Sequence, residues 1–482
     1  MTAPRKYTPR PYQDIAIAHM LEKPRSALFA RPGMGKTSST LATLDLAWRC
    51  GESGPALILA PLRVAEHTWP AETKKWSDFS HLEVSAIVGT EQERRAALRR
   101  DAPIYTMNYE NIPWLIDTLG GKWPFSTIIP DESTKLKNAR VSVRQSKAGP
   151  YIHNEKGGSL RASELAKIAF LPQVKRVHPL TGTPASNGLK DLWGQLLFLD
   201  MGKRLGRSYG AFEDRWFERV MRHRNDKFGE LRPRPGAEAE INARIADLCL
   251  ALDPKDWFPD LLEPFRSTIT VSLPGKARAL YTKMEKEMYI EIAGTGVEVF
   301  NAAAKTMKCR QLAAGAIITD TETGNWSEVH TAKIEALEDV WEECGGLPVL
   351  VSYQFKSDLA RLLKAFPKGV DLADPKGLKK FMAGEAQFGF GHPASIGHGF
   401  DGMQDITNVI VFFSSDYNLE YREQIIERIG PVRQLQSGHK RKVFVYDLVV
   451  EDSIDEVVLN VLVNKCSVQE ALFSAMKAKK FA

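Results

Sequence analysis

The residues best equipped for chemistry stand at positions 30–37, ARPGMGKT. An apolar run, Ala27–Ala30, precedes them, and a helical pattern opens near Ser38. Backbone N–H groups can converge on an anion only where the chain is small and tightly wound, which Gly33 and Gly35 allow. In such a loop a lysine reaches the β- and γ-phosphates of a nucleotide, and the hydroxyl after it holds Mg²⁺. Lys36 and Thr37 fill those places, with Pro32, Met34 and Ser38 completing the cradle. Ala30 stands where glycine usually opens the pattern. An incidental glycine turn is the competing reading, and the strand before and helix after argue against it.

A phosphate loop needs an acid at the end of a neighbouring strand. STIIPDESTKLKN, 126–138, supplies Asp131 and Glu132 after an apolar run. Asp131 suits the Mg²⁺ shell, and Glu132 suits a water-activating role. A solvated acidic pair capping a helix near Ser133 is the bland alternative. The upstream loop favours the functional one.

The elements that must position these groups form two blocks. Strands are expected at Ala27–Ala30, Ala56–Pro61, Val84–Val88, Ile104–Met107, Thr127–Pro130 and Arg176–Leu180. The second block has Val349–Ser352, Gly389–Pro393, Val409–Phe413 and Val443–Leu448. Runs such as ALILAP and NVIVFF are continuously apolar, which suits parallel strands buried on both faces. Helical patterns lie between them, for example Ile334–Cys344 and Asp358–Phe366. The fold class is α/β, with two doubly wound parallel-sheet lobes. Lobe 1 is expected over 1–200 and lobe 2 over 266–482. Between them, 201–265 reads as a basic, mainly helical connector containing the breaker-rich LRPRPG and an amphipathic helix Glu238–Leu252.

Composition limits the remaining choices. The 482 residues are 43% hydrophobic and 26% charged, as in ordinary globular chains. Net charge is +6, which permits a polyanionic partner without demanding one. The excess is local. Residues 201–235 hold ten Lys and Arg against five Asp and Glu, a surplus of +5. Arg222, Arg224 and Lys227 are the candidates there for phosphate contact, with a solvated helix face as the alternative. The five cysteines lie far apart, so neither a zinc ribbon nor a disulfide framework is expected. The polar start, MTAPRKYTPR, is no signal peptide, and no apolar run approaches the ~18 residues of a membrane span. A soluble, cytoplasmic protein is expected. Trp193, Trp216 and Trp257 are read as packing residues rather than base-stacking platforms, and His392 and His398 as loop hydrogen-bonders rather than metal ligands.

Taken in order, the motifs resemble those of superfamily-two helicases, and specifically the Swi/Snf-type DNA translocases in the small motor-only form of bacteria and phages. TPRPYQ (8–13) is similar to that family's adenine-recognition motif. The resemblance implies that Gln13 reads the adenine edge with Tyr7 or Arg10 near the ring. APLRVAEHTWPAETKKW (60–76), MNYE (107–110) and LTGTPASNGLKDLWGQLLFLD (180–200) resemble the next motifs. In the second block, VHTAKIEAL, PVLVSYQFKSDLARLL, GHPASIGHGFDGMQ, QIIERIGPVRQ and VVEDSIDEVVLNVLVNK continue the series to residue 465. The family implies RecA-like lobes, ATP and Mg²⁺ as cofactors, and DNA as partner, gripped without sequence preference. It implies nucleic-acid contacts near Arg63, Asn108, Lys137, Thr183, His392 and Ser395, nucleotide contacts at Gly399 and Asp401, and an arginine finger at Arg428 or Arg433.

Three departures stand out. Ser133 and Thr134 follow the acids where relatives carry Ala-His or Ala-Asp. The two arginines are spaced five apart around Pro431, and Asp401 replaces an asparagine. The implied function is ATP-dependent translocation on duplex DNA. A strand-separating DNA or RNA helicase, a scaffold with a degenerate site, and a phosphate-loop kinase are the alternatives. Intact Lys36, Thr37, Asp131 and Glu132 argue against a scaffold.

Overall fold

A computed structural model of the chain describes residues 4–52, 54–147, 149–221, 230–294, 299–319, 325–396 and 402–476. It divides into two units, Met1–Pro259 with Lys465–Ala482, and Asp260–Asn464.

In the first unit the apolar runs become strands because each can bury both faces. Within Ala27–Ala30, Ala27 and Phe29 enter one hydrophobic cluster while Leu28 and Ala30 enter another. Leu57 and Leu59 against Ile58 and Ala60 repeat the alternation in Ala56–Ala60. Only helices on both sides of a sheet supply that much apolar cover, and parallel pairing follows from the helical crossovers. One parallel sheet runs Val84–Ile87, Ile104–Asn108, Ala56–Ala60, Thr127–Pro130 and Arg176–Val177. A second runs Leu180–Thr181, Ala27–Ala30 and Cys249–Leu252. Bridges Arg25 to Val177 and Asp131 to Leu180 join the two across Pro179, so phosphate loop and acid pair leave one continuous surface on the same edge.

The second unit is likewise parallel. Its six strands lie in the order Phe265–Val271, Phe444–Val450, Val409–Phe412, Val349–Ser352, Phe388–Gly391 and Gly369–Asp371. Two clusters again divide alternate residues, Val349 and Val351 against Leu350. Arg422 is buried between strand and helix, bidentate to Asp447 at 2.7 and 2.7 Å and over the Phe412 ring at 3.9 Å.

Several expectations need correction. The helix expected over Glu238–Leu252 ends at Ile245, and Cys249–Leu252 becomes a strand beside Ala27–Ala30. Those four residues are all buried, so a partner strand and two covered faces outweigh the helical period. Residues 201–259 are therefore part of the first unit rather than a separate connector. Two strands of the second sheet, Phe265–Val271 and Gly369–Asp371, go beyond the expected set, as does the hairpin Val141–Ser146 with Gly149–Asn154. The tryptophan expectation holds for Trp193 and Trp216, buried in the core with their N–H groups on Gly206 O and Glu240.

The helix Asp191–Asp200 packs closely on the turn that follows the acid pair. A Cβ on Gly194 would lie 2.5 and 2.7 Å from the carbonyl oxygens of Lys137 and Leu136. We expect Gly194→Ala to destabilise the first unit by about 1–3 kcal/mol through overpacking, despite alanine's better helix propensity. Denaturant unfolding followed by the buried tryptophans measures this; an unchanged midpoint would refute it.

Candidate active site

The phosphate loop is shaped by two glycines in the left-handed region, Gly33 at φ 81° and Gly35 at φ 71°. Gly35 caps the helix Lys36–Arg49, and a Cβ there would collide with the Gln13 amide nitrogen. Glycine is thus required twice, by dihedral and by space. Gln13 is held from both ends: its Oε1 accepts from Arg10 N at 2.8 Å, and its Nε2 donates to Ser38 Oγ at 3.2 Å. Ser38 in turn donates to Gly35 O at 3.1 Å. Tyr7 packs by ring contact on Trp76 and Phe79, with its backbone N–H on Asp78. Arg10 is exposed, its guanidinium over the Phe258 ring at 5.5 Å. Met34 is buried beneath the loop, and Pro32 faces Gly182.

Lys36 Nζ donates to Ala30 O at 2.7 Å, keeping the cation at the strand's end. Thr37 occupies the first turn of the helix, half-buried. Asp131 follows the neighbouring strand. Its Oδ2 accepts from the Trp69 indole N–H at 3.0 Å, and its carbonyl from the Tyr109 hydroxyl at 2.9 Å. Burial, with Glu132 beside it, pushes the Asp131 carboxyl up to about 6, against the pull of Lys36 and Trp69. Glu132 is one of three non-glycine residues with positive φ among those described, at φ 63° and ψ 59°. That conformation costs roughly 1–2 kcal/mol and aims the carboxylate. Thr181 Oγ1 donates to Glu132 Oε1 at 2.6 Å while accepting from Thr183 N at 3.1 Å.

Lys36, Thr37, Asp131 and Glu132 thereby follow strands of two sheets that isolated bridges join, with Gln13 packed on the loop from its helix. The arrangement suits a polyphosphate and a divalent cation: a glycine cradle, a lysine, a helix N-terminus, a hydroxyl, and a carboxyl whose burial favours an ionic partner. The residues present fit ATP and Mg²⁺.

Trp69, Tyr109 and Thr181 lie inside the motifs, but nothing in the sequence singles them out. Spacing alone does not distinguish Thr181 from Thr183; both are buried, and the structure puts Thr181 on the acid. Lys137 does not extend freely. Its Nζ reaches Ser186 Oγ at 3.2 Å and lies 3.7 Å from Asp191, which also accepts from Ser186 and from Asn187 N. Asn108 bonds Glu110 and Asn111, and Arg63 is exposed at the turn after Ala56–Ala60.

The second unit carries the remaining candidates. His392 is half-buried near Tyr353, its imidazole pKa lowered by burial, and accepts at Nδ1 from Ala394 N. Ser395 begins its helical turn from His392 O. Arg428 lies in the turn after helix Leu419–Ile426, and Arg433 in helix Pro431–Gln436. Gly399, Asp401, His398, Arg222, Arg224 and Lys227 fall outside the described residues. In the rest of the basic stretch, Arg204 pairs with Asp200 and Asp247, Arg215 with Glu240, and Arg219 with Glu213. Part of that surplus charge is therefore structural.

Residues 12–310 match the SNF2-related domain family. The chain belongs to that family, as the order of its motifs implied. Protein p41 of Acyrthosiphon pisum secondary endosymbiont phage 1 is 48% identical over 478 residues, covering 98% of this chain and all of that protein. The human SWI/SNF-related matrix-associated actin-dependent regulator of chromatin subfamily A member 1 is 25% identical over 292 residues. That match takes in 58% of this chain and 23% of the human protein. Among solved structures, the Sulfolobus solfataricus SWI2/SNF2 ATPase core in complex with dsDNA is 18% identical. It covers 99% of this chain and 95% of that one with a TM-score of 0.43. As an SNF2-related protein with an intact phosphate loop, the chain is an ATP-hydrolysing enzyme. No helix among the described residues is long and apolar enough to cross a membrane.

Two outcomes test the geometry. In nucleotide- and Mg²⁺-free buffer the fold binds the Asp131 proton more tightly than the unfolded chain does. Its stabilising contribution is therefore full below about pH 4 and lost as pH rises through about 6. Asp131→Asn keeps an acceptor for Trp69 but cannot ionise. We expect it to be the more stable protein at pH 7, by up to about 3 kcal/mol, with the advantage gone below about pH 4. Thermal unfolding across pH reads this directly. Separately, Thr181→Val should lower ATP turnover by about tenfold or more while leaving ATP affinity nearly unchanged, since it removes a hydrogen bond to a charged acceptor. A rise in KM at constant kcat would refute that role.

Proposed function

We propose that this SNF2-related enzyme is an ATP-driven translocase on double-stranded DNA, remodelling DNA or removing proteins bound to it. The observation that carries the reading is the phosphate loop and acid pair brought together in the first unit, with Glu132 in a strained conformation and fastened to Thr181. A degenerate site would have no reason to keep that strain. The human relative, whose name refers to chromatin, supports the direction of the proposal.

In this reading ATP supplies the phosphoanhydride bond and Mg²⁺ neutralises its charge. The N–H groups of the loop from Pro32 to Ser38 and the Lys36 ammonium bind the phosphates. Thr37 and Asp131 hold the cation, and Gln13 orients the base near Tyr7 and Arg10. Glu132 orders the attacking water and accepts its proton. Arg428 or Arg433 supplies the finger charge, an effect worth about 10³–10⁵ in rate in comparable NTPases. Gly399 and Asp401 belong to the nucleotide motif by resemblance. Arg63, Asn108, His392 and Ser395 are the proposed backbone contacts, joined by Lys137 once it leaves Asp191, and by Arg222, Arg224 and Lys227; Thr183, buried in the first unit, is not among them. Such contacts position the protein without reading sequence, so binding is salt-dependent and non-specific.

A strand-separating helicase is the second reading, favoured by the hairpin Val141–Asn154. ATPase assays with duplex, single-stranded and forked DNA and with RNA separate the two. Stimulation by duplex, displacement of a third strand without unwinding, and loss of turnover in Lys36→Ala are expected. Equal turnover with and without DNA would overturn the proposal.

A further inference from the structure

A two-stranded antiparallel hairpin, Val141–Ser146 with Gly149–Asn154, follows the acid pair by nine residues. Its register divides it into two faces. Val141, Val143 and Ile152 point one way, and the core of the first unit accepts them. Ser142, Arg144 and Ser146 share the opposite face with Gly149, Tyr151 and His153, Arg144 lying directly across from Tyr151. Val143 N donates to Arg207 O at 2.7 Å and Ser142 bridges to Ser208, so the platform is tied down at its base.

The outer face is unusual in what it leaves in water. Tyr151 is 45% exposed. Arg144, Lys147 and Lys156 are exposed, and among the described residues none of them forms an ion pair with an acid. Residues 140–158 hold four Lys and Arg against one acidic residue, Glu155, for a net +3. Arg140 is engaged on the Tyr209 ring, which leaves three exposed cations in this segment, one of them, Arg144, directly across from Tyr151. A solvated edge needs charge to prevent aggregation, but it needs no half-exposed tyrosine paired with an arginine. Cations that follow a phosphate chain and a ring that packs on sugar or base are the chemistry of nucleic-acid grooves. The hairpin also continues toward the proposed contacts: Asn154 bonds Glu164 on the next helix, whose Arg161 pairs with Glu110, the acceptor of Asn108.

We infer that the outer face of this hairpin is a nucleic-acid contact, Arg144 and Lys147 holding backbone phosphates and Tyr151 packing against the sugar or base beside them. The assignment rests on the DNA-motor reading and adds a site that the family motifs do not include. It has a definite ionic signature, since each phosphate that is no longer neutralised by a side-chain cation lowers the slope of log K against log salt by about 0.9 on duplex DNA.

The test is fluorescence anisotropy of the full chain on a fluorescent random-sequence duplex between about 50 and 200 mM salt. The double variant Arg144→Gln, Lys147→Gln should bind about tenfold or more weakly, with the slope reduced by about 2. Tyr151→Ala should lose about fivefold or more in affinity with the slope unchanged. The swap Arg144→Lys, Lys147→Arg should restore the parent's slope, and matched thermal midpoints exclude misfolding as the cause. If the parent binds and the double variant keeps its slope, the hairpin assignment fails while the motor reading stands. If the parent binds no nucleic acid, both fail.

Discussion

A carboxyl group partly withdrawn from water at the end of a parallel strand is the constraint around which the first unit is arranged. Asp131 gains nothing from its position as far as folding is concerned, because burial penalises the charge it would carry in solvent. Everything near it compensates in part. Trp69 donates to the carboxylate, Lys36 lies close enough to lower its pKa, and Tyr109 fixes the carbonyl of the same residue. A site that is electrostatically incomplete without a cation binds one more tightly than a site already satisfied.

The neighbouring acid is treated oppositely. Glu132 is bent into a conformation that side chains avoid, then caught by Thr181 from the adjacent broken strand. Because Thr183 N bonds the same hydroxyl, the position of the acid is linked to the loop after that strand. That loop is linked again through Gln195, which accepts from Ser133 and donates to Pro184 O and Asp191 O. Ser133 is one of the departures from the family pattern. Its short hydroxyl reaches a partner inside the unit, so the substitution has a local structural use that an alanine could not serve.

How much of this is legible in the sequence depends on whether one residue type alone can satisfy the constraint. Only glycine tolerates the dihedral and the closeness of Gln13 at Gly35, so the loop announces itself. Continuous apolar runs match doubly covered strands for the same reason. Cys249–Leu252 does not, because four buried apolar residues suit the end of a helix as well as a strand, and the deciding partner, Ala27–Ala30, lies more than 200 residues away. The hairpin at 141–154 is quiet in the sequence since its outer face is polar, its inner face short, and its loop lacks a strong turn pair. Thr181 hides behind Thr183 because both are hydroxyls in one short motif, two residues apart. Only the fold says which of them meets the acid.

The charge surplus shows the same limit. Counting cations in 201–235 suggests a phosphate-binding surface, but a count does not see acids brought in from elsewhere. Asp247 and Glu240 lie outside that window and neutralise Arg204 and Arg215. Net charge over a segment is informative only where the segment supplies its own neighbours. On the hairpin, no acid among the described residues pairs with Arg144 or Lys147, and the inner face is committed to the core. There the local excess of cations survives folding and remains available to a polyanion.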